Sequence, residues 1–187
     1  DIPLFIKKIA TNNMYGSAKT IMESNPVGAS CARVCPTSEL CEGACVLNHD
    51  SNKSIMIGLL QRHATDWAIR NDSTFFHKGE KTGRKIAVVG GGPAGLSASR
   101  ELAILGHAVT IFDAKEKLGG LSTYGIVSFR LPQSIPQWEI RQIEQMGVQI
   151  KYNTSVGKDI DSAELLHQYD AILLAVGMGS VPQLHIE

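Results

Sequence analysis

Cysteine is missing from almost the whole chain: all four copies fall between Cys31 and Cys45. A secreted domain stapled by disulfides spreads its cysteines along the sequence. Clustering of this kind reads instead as thiolates gathered for a metal or a cluster. An excess of charge is missing too. The 18 Lys and Arg residues balance 18 Asp and Glu residues over 187 positions. That balance excludes the chain-wide basic field of a nucleic-acid binder. Long hydrophobic runs are also lacking. A membrane span needs roughly 18 consecutive apolar residues, and the longest run, residues 171–176, is only strand-sized. The opening DIPLFIKKIA lacks the basic, apolar and cleavage regions of an export signal, so a cytoplasmic setting is expected. What the chain has in quantity is glycine, 18 residues, within a 43% apolar composition. This is a globular chain with tight backbone geometry somewhere in it.

The sequence changes character near residues 71–84, where NDSTFFHKGEKTGRK is polar and carries two glycines. His77 and Lys78 are expected in solvent, and Phe75 and Phe76 are suited to pin this segment onto a neighbour. Before it, apolar spacing predicts helices over about 4–10, 17–23 and 55–70, with cysteine-rich loops between them. Short helices of this kind make a thin core, so something else must hold them together. After it, β-branched runs alternate with helical ones. Strands are expected at 85–89, 108–112, 148–152 and 169–176, the last of them buried. Helices are expected at 93–105, 135–146 and 163–168. The alternation implies an α/β fold with a parallel sheet covered on both faces.

The strand at 85–89 runs into the G-x-G-x-x-G fingerprint formed by Gly90, Gly92 and Gly95. Here the fingerprint follows a strand, opens a helix with Pro93 and Ala94, and is followed by an acidic residue, Asp113, that closes the next strand. Gly90 permits the turn, Gly92 lets the backbone approach a pyrophosphate, and Gly95 lets helix and strand pack closely. The free amides at the helix start then face a doubly negative group. Asp113 can accept hydrogen bonds from an adenosine ribose. A 2′-phosphate would meet like charge there, so the site suits FAD or NAD rather than NADP. Two further glycine signals favour FAD. Gly119, Gly120 and Leu121 lie just past the second strand. Gly177, with Gly179, follows the last.

The cysteines read Cys31-x3-Cys35-x5-Cys41-x3-Cys45. Zinc sites use pairs spaced by two to four residues. Iron–sulfur ligands often have proline beside them, as in Cys35-Pro36. Spacing alone leaves iron–sulfur, zinc and free or redox-active thiols open. The six histidines, His49, His63, His77, His107, His167 and His185, are scattered without metal-ligand spacing.

Taken together, NPVGASCARVCPTSELCEGACVL, IGLLQRHATDW, the glycine fingerprint, LGGLSTYGIVSFRLP and YDAILLAVG resemble one family over essentially the whole chain. It is the NAD(P)H-dependent, FAD- and iron–sulfur-containing reductase family. Its members include the glutamate synthase small subunit and the electron-entry part of dihydropyrimidine dehydrogenase. The wording VCPTSELC and LLQR leans towards the second branch.

The resemblance implies three parts: a helical 4Fe-4S-binding domain over 1–76, a linker over 77–84, and the N-terminal part of a Rossmann-like FAD-binding domain over 85–187. It implies that Cys35 and Cys41 bind one 4Fe-4S cluster with Gln61 near its fourth ligand position, and that Cys45 binds another. Cys31 matches no ligand and is expected to be a small buried hydrophobe. Gly90, Gly92 and Gly95 match the FAD pyrophosphate loop, Asp113 the ribose acid, and Gly119, Gly120 and Leu121 the stretch beside the flavin. Arg130 and Leu131 match a segment near its ring.

The family carries four more cysteines upstream, and a NAD(P)H-binding domain downstream. The chain is therefore expected to be an internal fragment, inactive alone. In the complete protein a nicotinamide cofactor would reduce the flavin. Electrons would then pass singly through the clusters to a catalytic subunit or domain, and a homodimer is the other way to complete the cluster region. A reading from a different class is a non-catalytic zinc- or cysteine-stabilised module on a dinucleotide-sensing domain.

Overall fold

A computed structural model describes residues 1–48 and 53–178. The first half holds the helices α1 (Ile2–Ala10), α2 (Met14–Ser24), α3 (Gly28–Val34) and α4 (Ile57–Arg70). The Asp1 carboxylate accepts from the Leu4 N–H and the Asn13 side chain from the Gly16 N–H, so α1 and α2 each begin on a side-chain cap. Such a cap starts α2 three residues before its apolar spacing shows. Helix α3 is a finding, because the cysteine-bearing stretch was expected to be loop. It is short, with Val27 at its N-cap offering no side-chain hydrogen bond. Helix α4 has its first turn held by Glu42, whose carboxylate accepts from the Gly58 N–H at 2.9 Å.

The second half alternates as expected: β1 (Lys85–Val89), α5 (Pro93–Ile104), β2 (Ala108–Phe112), α6 (Leu121–Tyr124), α7 (Ser134–Glu144), β3 (Gln149–Lys151), α8 (Ser162–Gln168) and β4 (Ala171–Leu174). All strand pairs are parallel, in the order β3-β2-β1-β4. Both faces are covered. Val88, Val109 and Ile111 face the larger core with Leu96 and Trp138, while Ala87, Val89 and Phe112 face a smaller one with Leu165. This is the Rossmann-like arrangement of a helical region followed by a parallel sheet with helices. The strand at 169–176 departs from expectation. It is shorter, lies at the edge of the sheet, and leaves Leu174 and Val176 about 70% exposed (73% and 68%). A continuous apolar run looks the same in an inner strand and an edge strand.

The larger core does not stop at the join. Phe5, Ala18, Met22, Ala64 and Ala68 of the helical half share it with Leu96, Ile111 and Trp138 of the sheet half. This supplies what the short helices lack. The joining segment is pinned as expected: Phe75 and Phe76 are buried, and the Phe75 ring lies 5.3 Å from Tyr15 and 6.4 Å, edge-on, from Trp138. His77 and Lys78 are exposed. No helix among the described residues is long and apolar enough to cross a membrane.

Candidate functional site

The order β3-β2-β1-β4 reverses direction between β1 and β4. Ligands of open parallel sheets gather at the carboxyl ends of strands flanking such a reversal. The fingerprint turn sits there. Gly90 has φ +104°, and a Cβ on it would run into the Ala175 carbonyl just after β4. A Cβ on Gly95 would overlap the Gly90 carbonyl oxygen. These two glycines are therefore demanded by the fold itself. Gly92 differs. Its φ of −73° suits any residue, and a Cβ there would meet nothing nearer than the Gly120 Cα at 3.8 Å. The protein leaves that space open.

Helix α5 begins at this space with Pro93 at its first position and no side-chain cap. Its first-turn amides, Ala94 and Gly95, lie in the turn whose N–H groups have no carbonyl partner within a helix, and a helix start of this kind favours an anion. Asp113 is held by both oxygens: Oδ2 accepts from the Gly91 N–H at 2.7 Å and Oδ1 from the Lys115 N–H at 2.8 Å. The carboxylate is thereby fixed beside the turn, half-buried. Each oxygen keeps a lone pair for a further donor.

The Gly119–Gly120 pair packs against the fingerprint turn rather than standing apart. The Gly119 N–H donates to the Gly91 carbonyl at 2.8 Å. Gly120, at φ +52°, brings its backbone so close to Gly92 that a Cβ would sit 2.9 Å from the Gly92 Cα. Leu121 and Arg130 are exposed, Leu131 is fully buried, and Gly177 is exposed beyond β4. Gly179, His49 and His185 lie outside the described residues. His63, His77 and His167 are exposed, and the His107 ring is hydrogen-bonded to the Thr82 hydroxyl at 2.7 Å.

The cysteines are arranged along α3 and the turns after it. Cys31 lies on the helix, Cys35 is its C-cap, and their sulfurs are 2.9 Å apart. Gln61 of α4 reaches the same place. Its side-chain N–H donates to the Gly28 carbonyl at 2.7 Å, and it lies beside the Cys31 thiol, where it opposes the rise of that group's pKa. Cys31 is half-buried rather than buried, and its thiol meets Cys35 rather than packing as a hydrophobe. It sits on the α3 face turned towards α4, which the unrecognised helix concealed. Burial pushes the Cys31 thiol up to about 11, helped by Cys35, and pushes Cys41 up as well. Cys45 lies on the same succession of turns, with its N–H donating to the Glu42 carbonyl. Among the described residues no group of three or more His, Cys, Asp or Glu side chains converges as a metal site. A four-iron cluster needs four separate ligands, so the residues described do not by themselves fit one.

Two residues that sequence reasoning missed tie the halves together. Glu139 of α7 is 1% exposed and accepts three hydrogen bonds from the start of α3: Ala29 N–H at 2.8 Å, Ser30 N–H at 2.9 Å and Ser30 hydroxyl at 2.5 Å. Burial pushes its carboxyl up to about 7, against the opposing effect of those donors and of Arg33. The Arg33 guanidinium is itself committed to Asp66 and the Ala29 carbonyl. Arg100 of α5 donates to the Met22 carbonyl at the end of α2, pairs with Glu101, and lies over the Phe76 ring. A glutamate between Trp138 and Ile140 on an apolar helix face was the available signal.

Two family models match the chain. Residues 1–73 match the family model described as dihydropyrimidine dehydrogenase domain II, 4Fe-4S cluster. Residues 58–186 match the model described as pyridine nucleotide-disulphide oxidoreductase. The NAD-dependent dihydropyrimidine dehydrogenase subunit PreT of Salmonella typhimurium is 45% identical over 174 residues, covering 93% of this chain and 42% of that protein. The glutamate synthase [NADPH] small chain of Escherichia coli is 36% identical over 177 residues, covering 94% of this chain and 37% of that protein. Among solved structures, Mycobacterium tuberculosis FprA in complex with NADPH matches at 28% identity and a TM-score of 0.48, covering 55% of this chain and 24% of that one. The chain thus spans less than half the length of the curated relatives it matches.

Proposed function

We propose, for a chain that belongs to the pyridine nucleotide-disulphide oxidoreductase family, that it is the FAD-binding and cysteine-bearing part of an NAD(P)H-dependent electron-transfer oxidoreductase. The complete protein would pass electrons between a nicotinamide cofactor, FAD and 4Fe-4S clusters. The named relatives suggest a dihydropyrimidine dehydrogenase subunit or a glutamate synthase small chain as its kind, and therefore a partner catalytic subunit.

The observation that carries the reading is the space at Gly92. The fold forbids a side chain at Gly90 and Gly95, yet has room for one at Gly92. A glycine kept where the protein does not need it fits a backbone that must approach a bound group. The first-turn amides of Ala94 and Gly95 would hold the pyrophosphate of FAD, and Asp113 would accept from its ribose. Gly119 and Gly120 close the turn from the other side, with Leu121, Arg130, Leu131 and Gly177 towards the ring. When bound, FAD supplies the exchange between electron pairs and single electrons. The chain's own residues bind and orient it. Cys35, Cys41, Cys45 and Gln61 are proposed as part of two ligand sets whose remaining members lie outside the described residues.

The test is the visible spectrum of the anaerobically purified protein, with iron, sulfide and zinc assays on the same sample, for the wild type and for Gly92→Ala and Gly95→Ala. Flavin in the wild type is expected, with its affinity falling by at least about tenfold in Gly92→Ala at unchanged or slightly higher stability. Gly95→Ala should instead lose stability, about 1–3 kcal/mol, through overlap with the Gly90 carbonyl. Zinc without flavin or sulfide would overturn the reading in favour of a dinucleotide-sensing module.

A further inference from the structure

Helix α3 is too short to persist alone, and no side chain next to it in sequence caps it, though the Gly28 N–H donates to the Asn25 carbonyl. Its second and third amides, Ala29 and Ser30, are satisfied by a residue more than a hundred positions away, Glu139. The cysteine-bearing helix therefore begins on a cap supplied by α7. The neighbouring residue on α7, Ile140, is 3% exposed, and its Cδ1 lies 3.7 Å from where a Cβ on Gly119 would stand. Gly119 is in turn hydrogen-bonded to the Gly91 carbonyl of the fingerprint turn. One helix thus rests on the nucleotide loop with Ile140 and caps the cysteine helix with Glu139.

We propose that α7 couples the two sites: a dinucleotide seated against Gly92 and Gly120 favours the arrangement in which Glu139 caps α3, and so protects Cys31 and Cys35. Glu139 is a positioning residue in this scheme, touching neither the dinucleotide nor the thiols. The element with two states is the first turn of α3, capped or uncapped. A ligand that prefers the capped state shifts that equilibrium by its differential affinity, and the effect is reciprocal. The proposal rests on the FAD reading above.

The experiment measures alkylation rates of the four cysteines by iodoacetamide, resolved by peptide mass spectrometry, in protein freed of metal and flavin, with and without added FAD. FAD binding is followed separately by quenching of flavin fluorescence. The expected result is that FAD slows alkylation of Cys31 and Cys35 by at least about fivefold and leaves Cys41 and Cys45, beyond α3, nearly unchanged. Glu139→Ala should abolish the difference while FAD still binds. Glu139→Gln should restore it, because a Gln oxygen can accept from both amides while its NH2 donates to Ser30. Should Glu139→Ala not fold, Ser30→Ala, which removes one of the three bonds, is expected to reduce the protection. Equal protection of all four cysteines, or undiminished protection of Cys31 and Cys35 in Glu139→Ala or Ser30→Ala, would overturn the coupling with the FAD reading intact. Failure of FAD to bind the wild type would overturn the FAD reading, and the coupling with it.

Discussion

At the scale of single residues, the glycines were the legible part of the sequence and Glu139 was the illegible one. Gly90, Gly92 and Gly95 announce themselves because a local spacing, a preceding strand and a following helix all lie within a few positions. Glu139 has no such context. Its role depends on Ala29 and Ser30, which only the tertiary fold brings near. Its energetics can be worked out from its burial. The carboxyl is raised from 4.5 to about 7 in the folded chain, chiefly by desolvation. A group whose folded value lies above its unfolded value favours folding when protonated. That contribution is complete below the unfolded value and is lost as pH rises through the folded one. The loss amounts to about 3 kcal/mol at order of magnitude. Glu139→Gln is therefore expected to melt at a higher temperature than the wild type at about pH 8. The wild type's decline in stability between about pH 5 and about pH 8 should flatten in the variant. Thermal unfolding across that range checks it, and an unchanged pH profile would remove Glu139 as its source.

At the scale of elements, what could be read depended on length. Helix α4, with 14 residues, and the β1-α5-β2 unit came out of periodicity with small errors at their ends. Helices α3 and α6, with 7 and 4 residues, did not. Each is less than two full turns or little more than one, too short for an apolar stripe to repeat; α8, also 7 residues, was legible because it leads directly into the apolar run of β4. The polar joining segment shows the opposite case, where two aromatics in a run of turn-formers carried usable information. Phe75 is packed between Tyr15 of α2 and Trp138 of α7. Its removal should leave a cavity between a helix of each half. Phe75→Ala is expected to cost about 3–5 kcal/mol in chemical denaturation. His77→Ala, two residues on and exposed, should cost no more than about 0.5 kcal/mol. Similar costs for the two would mean that the segment is not pinned through its aromatics.

At the scale of the whole molecule, the sequence divides more sharply than the structure does. Composition changes near residues 71–84, and the two family models overlap over residues 58–73, mostly along α4 before that change. The core does not change there: Met22 and Ala64 belong to the same buried cluster as Leu96 and Trp138. Two buried charged groups cross the same boundary, Arg100 to the Met22 carbonyl and Glu139 to the start of α3. Breaking the contact between halves would give up these hydrogen bonds and expose the apolar core that the halves share. A half that unfolded first would thus pull the other with it. Cooperative unfolding follows, even though sequence patterning reads as two units. The two tryptophans make this measurable, since Trp67 sits on α4 and Trp138 on α7. In a Trp67→Phe variant the remaining indole reports the sheet half, while far-ultraviolet circular dichroism reports the helices of both halves. The two melting curves are expected to coincide. Helix loss well below the temperature at which Trp138 becomes exposed would mean that the halves unfold separately, and that the buried charges at their boundary find water before the sheet gives way.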